Sequence, residues 1–229
     1  MIVEKFGFEL EIAHWRPLEF ATLIYESDLT NIKLKRDGSV HVDYPRKGEV
    51  DMGTEICFKT PIKKIDTFIK QTKAISKFCH DNNLKFTATG PYRLPMKYII
   101  RRKHEDSECG VHIHYGIPRA ISDQAKQKAV VKLIDLCLEH EAAIIKLAGR
   151  RSTYATPFCE FSRDHLAEIK KNPRRLMKYV GCNLRNLYAG DSKHTVEFRY
   201  AHAAIIMDHD RFEEYFRLCL SIVEEAFNP

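Results

Sequence analysis

The sequence has no two cysteines in a C-x-x-C spacing, and its seven cysteines are scattered along the chain. It therefore signals neither a zinc module nor a disulfide framework, and we expect most cysteines to be small core residues. No apolar run approaches the length of about 20 residues that crosses a bilayer. A basic and apolar leader is also lacking. These absences predict a cytoplasmic protein without a membrane partner.

Linkers, repeats and low-complexity segments are lacking too, so we expect residues 1–229 to form a single domain. Hydrophobic residues make up 44% of the chain, enough to bury a full core. The net charge of +6 suits polyanionic partners, namely nucleotides, phosphorylated metabolites or nucleic acid. The charge does not choose among these classes, and a solvated basic face would explain it equally well.

Hydrophobic periodicity predicts strands separated by single long helices at irregular intervals. The turn signal "RDGS" predicts a hairpin between the strands 31–36 and 39–44. The other predicted strands are 4–13, 53–59, 84–89, 109–116 and 193–201. The first predicted helix starts at the N-cap Thr60, with Pro61 in its first turn. The second runs from Ser122 to Gly149, and three more cover 166–171, 174–180 and 212–226. This order predicts an α+β fold, with helices on one face of a largely antiparallel sheet.

Four of these strands combine an apolar face with a face of charged or histidine side chains, because alternate residues of a strand point to opposite sides. In "FGFELE", Phe6, Phe8 and Leu10 oppose Glu9 and Glu11, and Gly7 leaves space beside them. The polar faces of the other three strands carry Glu55 and Cys57, His112 and His114, and Glu197 and Arg199. If the four strands share one sheet, these side chains line one surface.

Such a surface has the chemistry of a metal and phosphate site. Glu9 and Glu11 repel each other on one strand face unless a cation lies near them. Carboxylate oxygens suit Mg²⁺ or Mn²⁺, which proteins often share with phosphate oxygens. The histidines could add ligands or bind a nucleotide, and Arg199 could stabilise a phosphoryl group during transfer. Each motif alone has a plainer explanation, such as a solvated face, a core histidine or a local ion pair.

The order of the motifs resembles the amidoligase family, one of the carboxylate–amine ligases similar to glutamine synthetase and glutamate–cysteine ligase. The resemblance runs from Phe6 to about Arg199. Its motifs are "FGFELE", "DGS" at 37–39, "GTEICFKTP", "CGVHIH", "GRRSTY" at 149–154 and "TVEFR". It implies a curved, mostly antiparallel sheet shaped like a funnel, with helices packed on its outer face.

The resemblance also implies roles for individual residues. It makes Glu9, Glu11, Glu55, His112 and Glu197 metal ligands. His112 would serve an ion that bridges nucleotide phosphates, and His114 would lie beside the nucleotide. Arg150 or Arg151 would contact phosphate, and Arg199 would contact phosphate or substrate.

The reaction implied is ATP-dependent formation of an amide bond with Mg²⁺ or Mn²⁺. ATP phosphorylates a carboxylate, and an amine then displaces phosphate from the acyl phosphate. The substrates would be small-molecule or peptide carboxylates and amines. The oligomeric state is left open. The alternatives are a metal-dependent amide hydrolase, an inactive scaffold, and a nucleic-acid- or nucleotide-binding protein on the same fold. The basic runs 97–104 and 170–179 motivate the nucleic-acid hypothesis, which we do not favour.

Overall fold

An antiparallel sheet of six strands forms the centre of the fold. The computed structural model describes residues 1–12, 17–37, 53–84, 109–149, 157–158, 161–172, 180–188 and 194–228. The strands are β1 (Lys5–Ile12), β2 (Ile32–Asp37), β3 (Gly53–Phe58), β4 (Val111–Gly116), β5 (Cys182–Asn183) and β6 (Thr195–Phe198). They lie in the order β2-β3-β1-β4-β6-β5, and every neighbouring pair is antiparallel.

Five α-helices accompany the sheet within the described ranges. They are α1 (Pro17–Glu26), α2 (Ile65–Asp81), α3 (Asp123–Ala148), α4 (Arg163–Lys171) and α5 (His209–Phe227). The predicted ends of α3 are confirmed: the Ser122 side chain accepts a hydrogen bond from the Ala125 amide, and Gly149 follows with φ of 81°. None of the helices described is long and apolar enough to cross a bilayer. The predicted α+β class is confirmed.

The core lies between one face of the sheet and the helices. Phe6 and Phe8 of β1 are fully buried there. Phe68 of α2 stacks on Phe216 of α5 with ring centroids 4.6 Å apart, and Phe6 meets Phe216 edge-on at 5.4 Å. Helix α3 packs against α5. Because the helices take up the apolar face, the opposite face is available for the charged residues.

The predicted start of α2 is wrong. Thr60 does not cap it and Pro61 is not in its first turn, because the helix begins at Ile65 after the N-cap Lys64. Ile62 instead forms a bridge with Phe6, with hydrogen bonds of 2.7 and 2.8 Å in the two directions. Long-range backbone pairing therefore outweighs the local capping signal.

Other sequence predictions differ at their edges or lie outside the described residues. Helix α1 and strand β5 were not predicted. Helix α4 begins at Arg163 and α5 at His209, before the predicted starts, whereas β6 is shorter than the predicted strand. The segments 39–44, 85–89 and 174–179 lie outside the described residues, and Val180 is a bridge residue rather than the end of a helix.

Candidate metal and phosphate site

The strand register brings the predicted site residues together on one face of the sheet. Glu9 lies opposite His112, Gly7 opposite His114, Glu11 opposite Glu55, and His114 opposite Glu197. We call this side the polar face. Its other members on the strands include Lys5, Lys33, Lys35, Cys57, Asn183 and Thr195. The predicted sharing of one surface is therefore confirmed for the four strands β3, β1, β4 and β6.

Glu9 lies at the centre of the polar face and contacts partners on two strands through its two oxygens. Its Oε2 is 3.3 Å from Nε2 of His114 and 3.6 Å from Nδ1 of His112. Its Oε1 is 3.4 Å from Nζ of Lys35, and Lys35 lies equally far from Oε1 of Glu55. The carboxylate of Glu9 thus has a histidine side and a lysine side.

Glu197 is held rigidly in a buried position. Its Oε1 accepts a hydrogen bond of 2.5 Å from Nη1 of Arg199, and its Oε2 accepts bonds from the amides of Asn183 at 2.8 Å and Asn186 at 3.1 Å. Only 3% of Glu197 is exposed. These three donors fix the orientation of the carboxylate before any ligand arrives.

His112 and Glu11 form a separate part of the cluster. Nε2 of His112 is 3.7 Å from Oε1 of Glu11, and its Nδ1 is 3.7 Å from Oε1 of Glu197. The other oxygen of Glu11 accepts a hydrogen bond of 2.6 Å from the Gly110 amide. A Cβ at Gly110 would lie 3.0 Å from the His112 ring, so the absence of a side chain there leaves room for this contact.

The carboxylates and the cations on this face shift one another's pKa values. Burial alone would raise the pKa of Glu9, but the two adjacent histidines hold it well below its ordinary value. Burial opposes ionisation of Glu197 as well, yet the two histidines and Arg199 lower its pKa to about 2. Burial and Arg199 lower the pKa of His112, but the surrounding carboxylates outweigh them and raise it. The cluster therefore favours negative carboxylates and positive partners.

Two groups of side chains on the polar face have the spacing of a metal site. We call Glu9, His114 and Glu197 the histidine group, and Glu9, Glu55 and Cys57 the cysteine group. Within each group the candidate donor atoms lie within 4.8 Å of one another. Neither group includes Glu11 or His112, so the ligand roles expected for those two residues stay predictions.

Two buried nitrogen atoms of the polar face have no hydrogen-bond partner among the residues that the structure describes. Nε2 of His114 and Nε of Arg199 are both in this state, although His114 lies at ion-pair distance from Glu9. Nδ1 of His114 is 3.5 Å from the hydroxyl of Thr195, which leaves Nε2 as the nitrogen facing the carboxylates. A buried polar atom without a partner costs about 1–3 kcal/mol, so a ligand that supplied a partner to either atom would remove that cost.

A pocket of about 150 Å³ opens beside Glu9 and His114. Its lining includes three lysines, Lys5, Lys33 and Lys35. Lysine ammonium groups bind phosphate and carboxylate as point charges. The pocket therefore has the charge of a site for an anion next to the candidate metal ligands.

Sequence reasoning missed several residues of this site. Lys35 carries no motif, and its role depends on β2 pairing with β3. Asn183 and Asn186 lie in a short segment without periodicity, so nothing in the sequence links them to Glu197. Conversely, the predicted phosphate contacts Arg150 and Arg151 lie outside the described residues.

The structure describes few residues of the two basic runs. The run 97–104 lies outside the described residues, as does most of the run 170–179. Lys170 and Lys171 form the last turn of α4, and Lys170 is ion-paired with Asp135. Lys170 therefore has a local ion-pair partner, and the nucleic-acid hypothesis stays a prediction.

Gly7 should matter for the site more than for the fold. A Cβ at Gly7 would lie 3.1 Å from Cβ of His114, a contact that His114 can relieve only by shifting a few tenths of an ångström. Because displaced metal ligands lose affinity, we expect Gly7→Ala to weaken Mn²⁺ binding by about 10-fold. Calorimetric titration would measure this, with a metal-free melting curve to confirm that the variant folds. Wild-type affinity in a folded variant would contradict the expected contact.

Comparison with models of known protein families found no match to this chain, and a search of curated proteins also found none. The resemblance to amidoligases therefore rests on the motifs alone.

Proposed function

We propose that this chain is an ATP-dependent carbon–nitrogen ligase of the amidoligase type, which joins a carboxylate to an amine through an acyl phosphate. In this proposal residues 1–229 form one catalytic domain. The antiparallel sheet would be the curved, funnel-like sheet of glutamine synthetase and glutamate–cysteine ligase. One observation carries the proposal: acidic, histidine and arginine side chains from four strands converge on one face, where two buried nitrogens have no hydrogen-bond partner within the described ranges.

The residues present fit a divalent ion such as Mg²⁺ or Mn²⁺. Glu9, His114 and Glu197 would hold it, since two carboxylates and one imidazole suit a hard or borderline cation. Thr195 and Asn183 would orient the ligands His114 and Glu197 from behind. When bound, the ion supplies positive charge that neutralises phosphate oxygens.

The remaining residues would position anions and stabilise developing charge. Arg199 is oriented by its bond to Glu197, and its free Nε–H can donate to a phosphoryl oxygen. Lys5, Lys33 and Lys35 line the adjoining pocket and would attract the phosphate groups of ATP or the carboxylate of the substrate. Because much of the site is buried, these interactions would be stronger than they are in water.

Binding of Mg·ATP should stabilise the protein against heat. A ligand at 100 times its Kd stabilises the folded state by about 2.7 kcal/mol. For a chain of this size, that corresponds to a rise in Tm of roughly 5–10 °C. A melting curve measured with Mg·ATP, and again with ATP and excess chelator, tests this. Curves that do not respond to millimolar Mg·ATP would count against the proposal.

Trapping with hydroxylamine separates a ligase from a hydrolase. With the correct carboxylate, hydroxylamine should intercept the acyl phosphate and give a hydroxamate, in step with release of ADP and phosphate. A screen of mixed carboxylates and amines for ADP release would first identify the substrates. A metal-dependent hydrolase could use the same carboxylates and histidines, but it would cleave amides without nucleotide. Efficient amide cleavage in the absence of ATP would therefore refute the ligase.

A further inference from the structure

The carboxylate of Glu9 separates two positions at which a cation can be bound. Its Oε2 faces His114 at 3.3 Å, and its Oε1 faces Lys35 at 3.4 Å. Glu9 belongs to both the histidine group and the cysteine group, and the two groups lie on different sides of its carboxylate. The two positions differ in the protein groups that already form hydrogen bonds or ion pairs with the candidate metal donors there.

The position at the histidine group is only partly satisfied by the protein groups that the structure describes. Nε2 of His114 is buried, with only 7% of the residue exposed, and its polar neighbour among the residues described, Oε2 of Glu9 at 3.3 Å, does not form a hydrogen bond with it. The carboxylate of Glu197 beside it is already fixed by Arg199, Asn183 and Asn186. A metal ion would give the imidazole nitrogen a partner without disturbing these bonds.

The position at the cysteine group is already filled by protein groups. Nζ of Lys35 lies 3.4 Å from Oε1 of Glu9 and 3.4 Å from Oε1 of Glu55. The same oxygen of Glu55 also accepts a hydrogen bond of 2.9 Å from the thiol of Cys57. The antiparallel register pairs Lys35 with Glu55, so the backbone itself directs the ammonium group to this place.

We propose that Lys35 takes the place of a second metal ion, so that the chain binds one divalent ion, at the histidine group. The inference rests on the proposed function, because it assumes that this face binds metal. A metal ion at the cysteine group would be repelled at close range by the ammonium group of Lys35. The ammonium group cannot leave as a free ion could, because Lys35 is part of strand β2. Glu55 then acts as the partner of a lysine rather than as a metal ligand.

The stoichiometry of Mn²⁺ binding tests this inference directly. Electron paramagnetic resonance of free Mn²⁺ during a titration counts the bound ions per chain. We expect one ion for the wild type and two for Lys35→Met, which keeps most of the side-chain length and removes the charge. Lys35→Gln provides a second neutral variant should the methionine variant not fold. The double variant Lys35→Met/Glu55→Gln should return to one ion.

Lys77→Met is the control for loss of a lysine charge, because Lys77 is exposed on α2 and is ion-paired with Asp81 away from the polar face. It should bind one ion like the wild type. Two ions in the wild type, or one ion in both folded Lys35 variants, would overturn the role of Lys35 while leaving the proposed ligase in place. No Mn²⁺ bound to the wild type would overturn this inference and the metal site of the proposed function together.

Discussion

Replacing Arg199 with lysine should lower turnover by about 10²-fold or more, while the variant folds and still binds Mg·ATP. Arg199 donates from Nη1 to Glu197, and its buried Nε–H has no acceptor in the described part of the chain, so it could donate to a bound phosphoryl oxygen. Lysine preserves the charge but loses the planar fork that serves two acceptors at once. Loss of one preplaced donor to a transition state has this scale.

Glu197→Gln is the natural comparison for Arg199→Lys, because the two residues are joined by one hydrogen bond. The glutamine variant should weaken metal-dependent nucleotide binding itself, whereas the lysine variant should lose the chemical step. Nucleotide titrations and single-turnover measurements on the same preparations would separate the two effects. If Arg199→Lys kept full turnover, or if both variants unfolded, the two residues would be a structural ion pair.

Replacing Glu9 with glutamine should lower the affinity for Mn²⁺ by about 100-fold or more. Glu9 is the one residue that the histidine group and the cysteine group share. Glutamine has nearly the same volume but lacks the charge, and its NH₂ group cannot bind a cation. Loss of a residue that only orients a metal ligand costs roughly 10–100-fold, and loss of the ligand itself should cost at least as much.

The measurement is a calorimetric titration of Glu9→Gln with Mn²⁺, alongside Glu214→Gln on the exposed side of α5 as a control with the same charge change. The control should bind Mn²⁺ like the wild type. Metal-free melting curves would show whether either substitution damages the fold. A folded Glu9→Gln protein with affinity within a few-fold of the wild type would remove Glu9 from the metal ligands.

The composition of the polar face could be predicted because alternation along a strand is a local property. Each of the motifs containing Glu9, Glu55, His112 and Glu197 specifies its own inner and outer face without knowledge of its neighbours. Sequence alone could not prove that the four strands are adjacent, since pairing between distant segments depends on the packing of the whole domain. The register therefore became known only from the structure.

The wrong helix start and the site residues that were not predicted have the same physical origin. Thr60 and Pro61 have the local chemistry of a helix start, but the backbone at Ile62 is paired with Phe6 far away in the sequence. Lys35 is an ordinary lysine on a strand until β2 is placed next to β3. Asn183 becomes significant only because β5 lies beside β6. In each case a long-range contact decides the role of a residue that has no local signature.

The order of the strands also bears on how the protein folds and unfolds. Glu9 belongs to β1, whereas Glu197 belongs to β6 near the other end of the chain, and β4 lies between the two strands in the sheet. An ion held by these residues would tie together strands that are far apart along the polypeptide, and a ligand that binds only the folded state stabilises that state. Because β1, β4 and β6 must all be assembled before the ligands meet, the ion would act late. It would lock the finished sheet and slow its opening, without speeding the search that builds it.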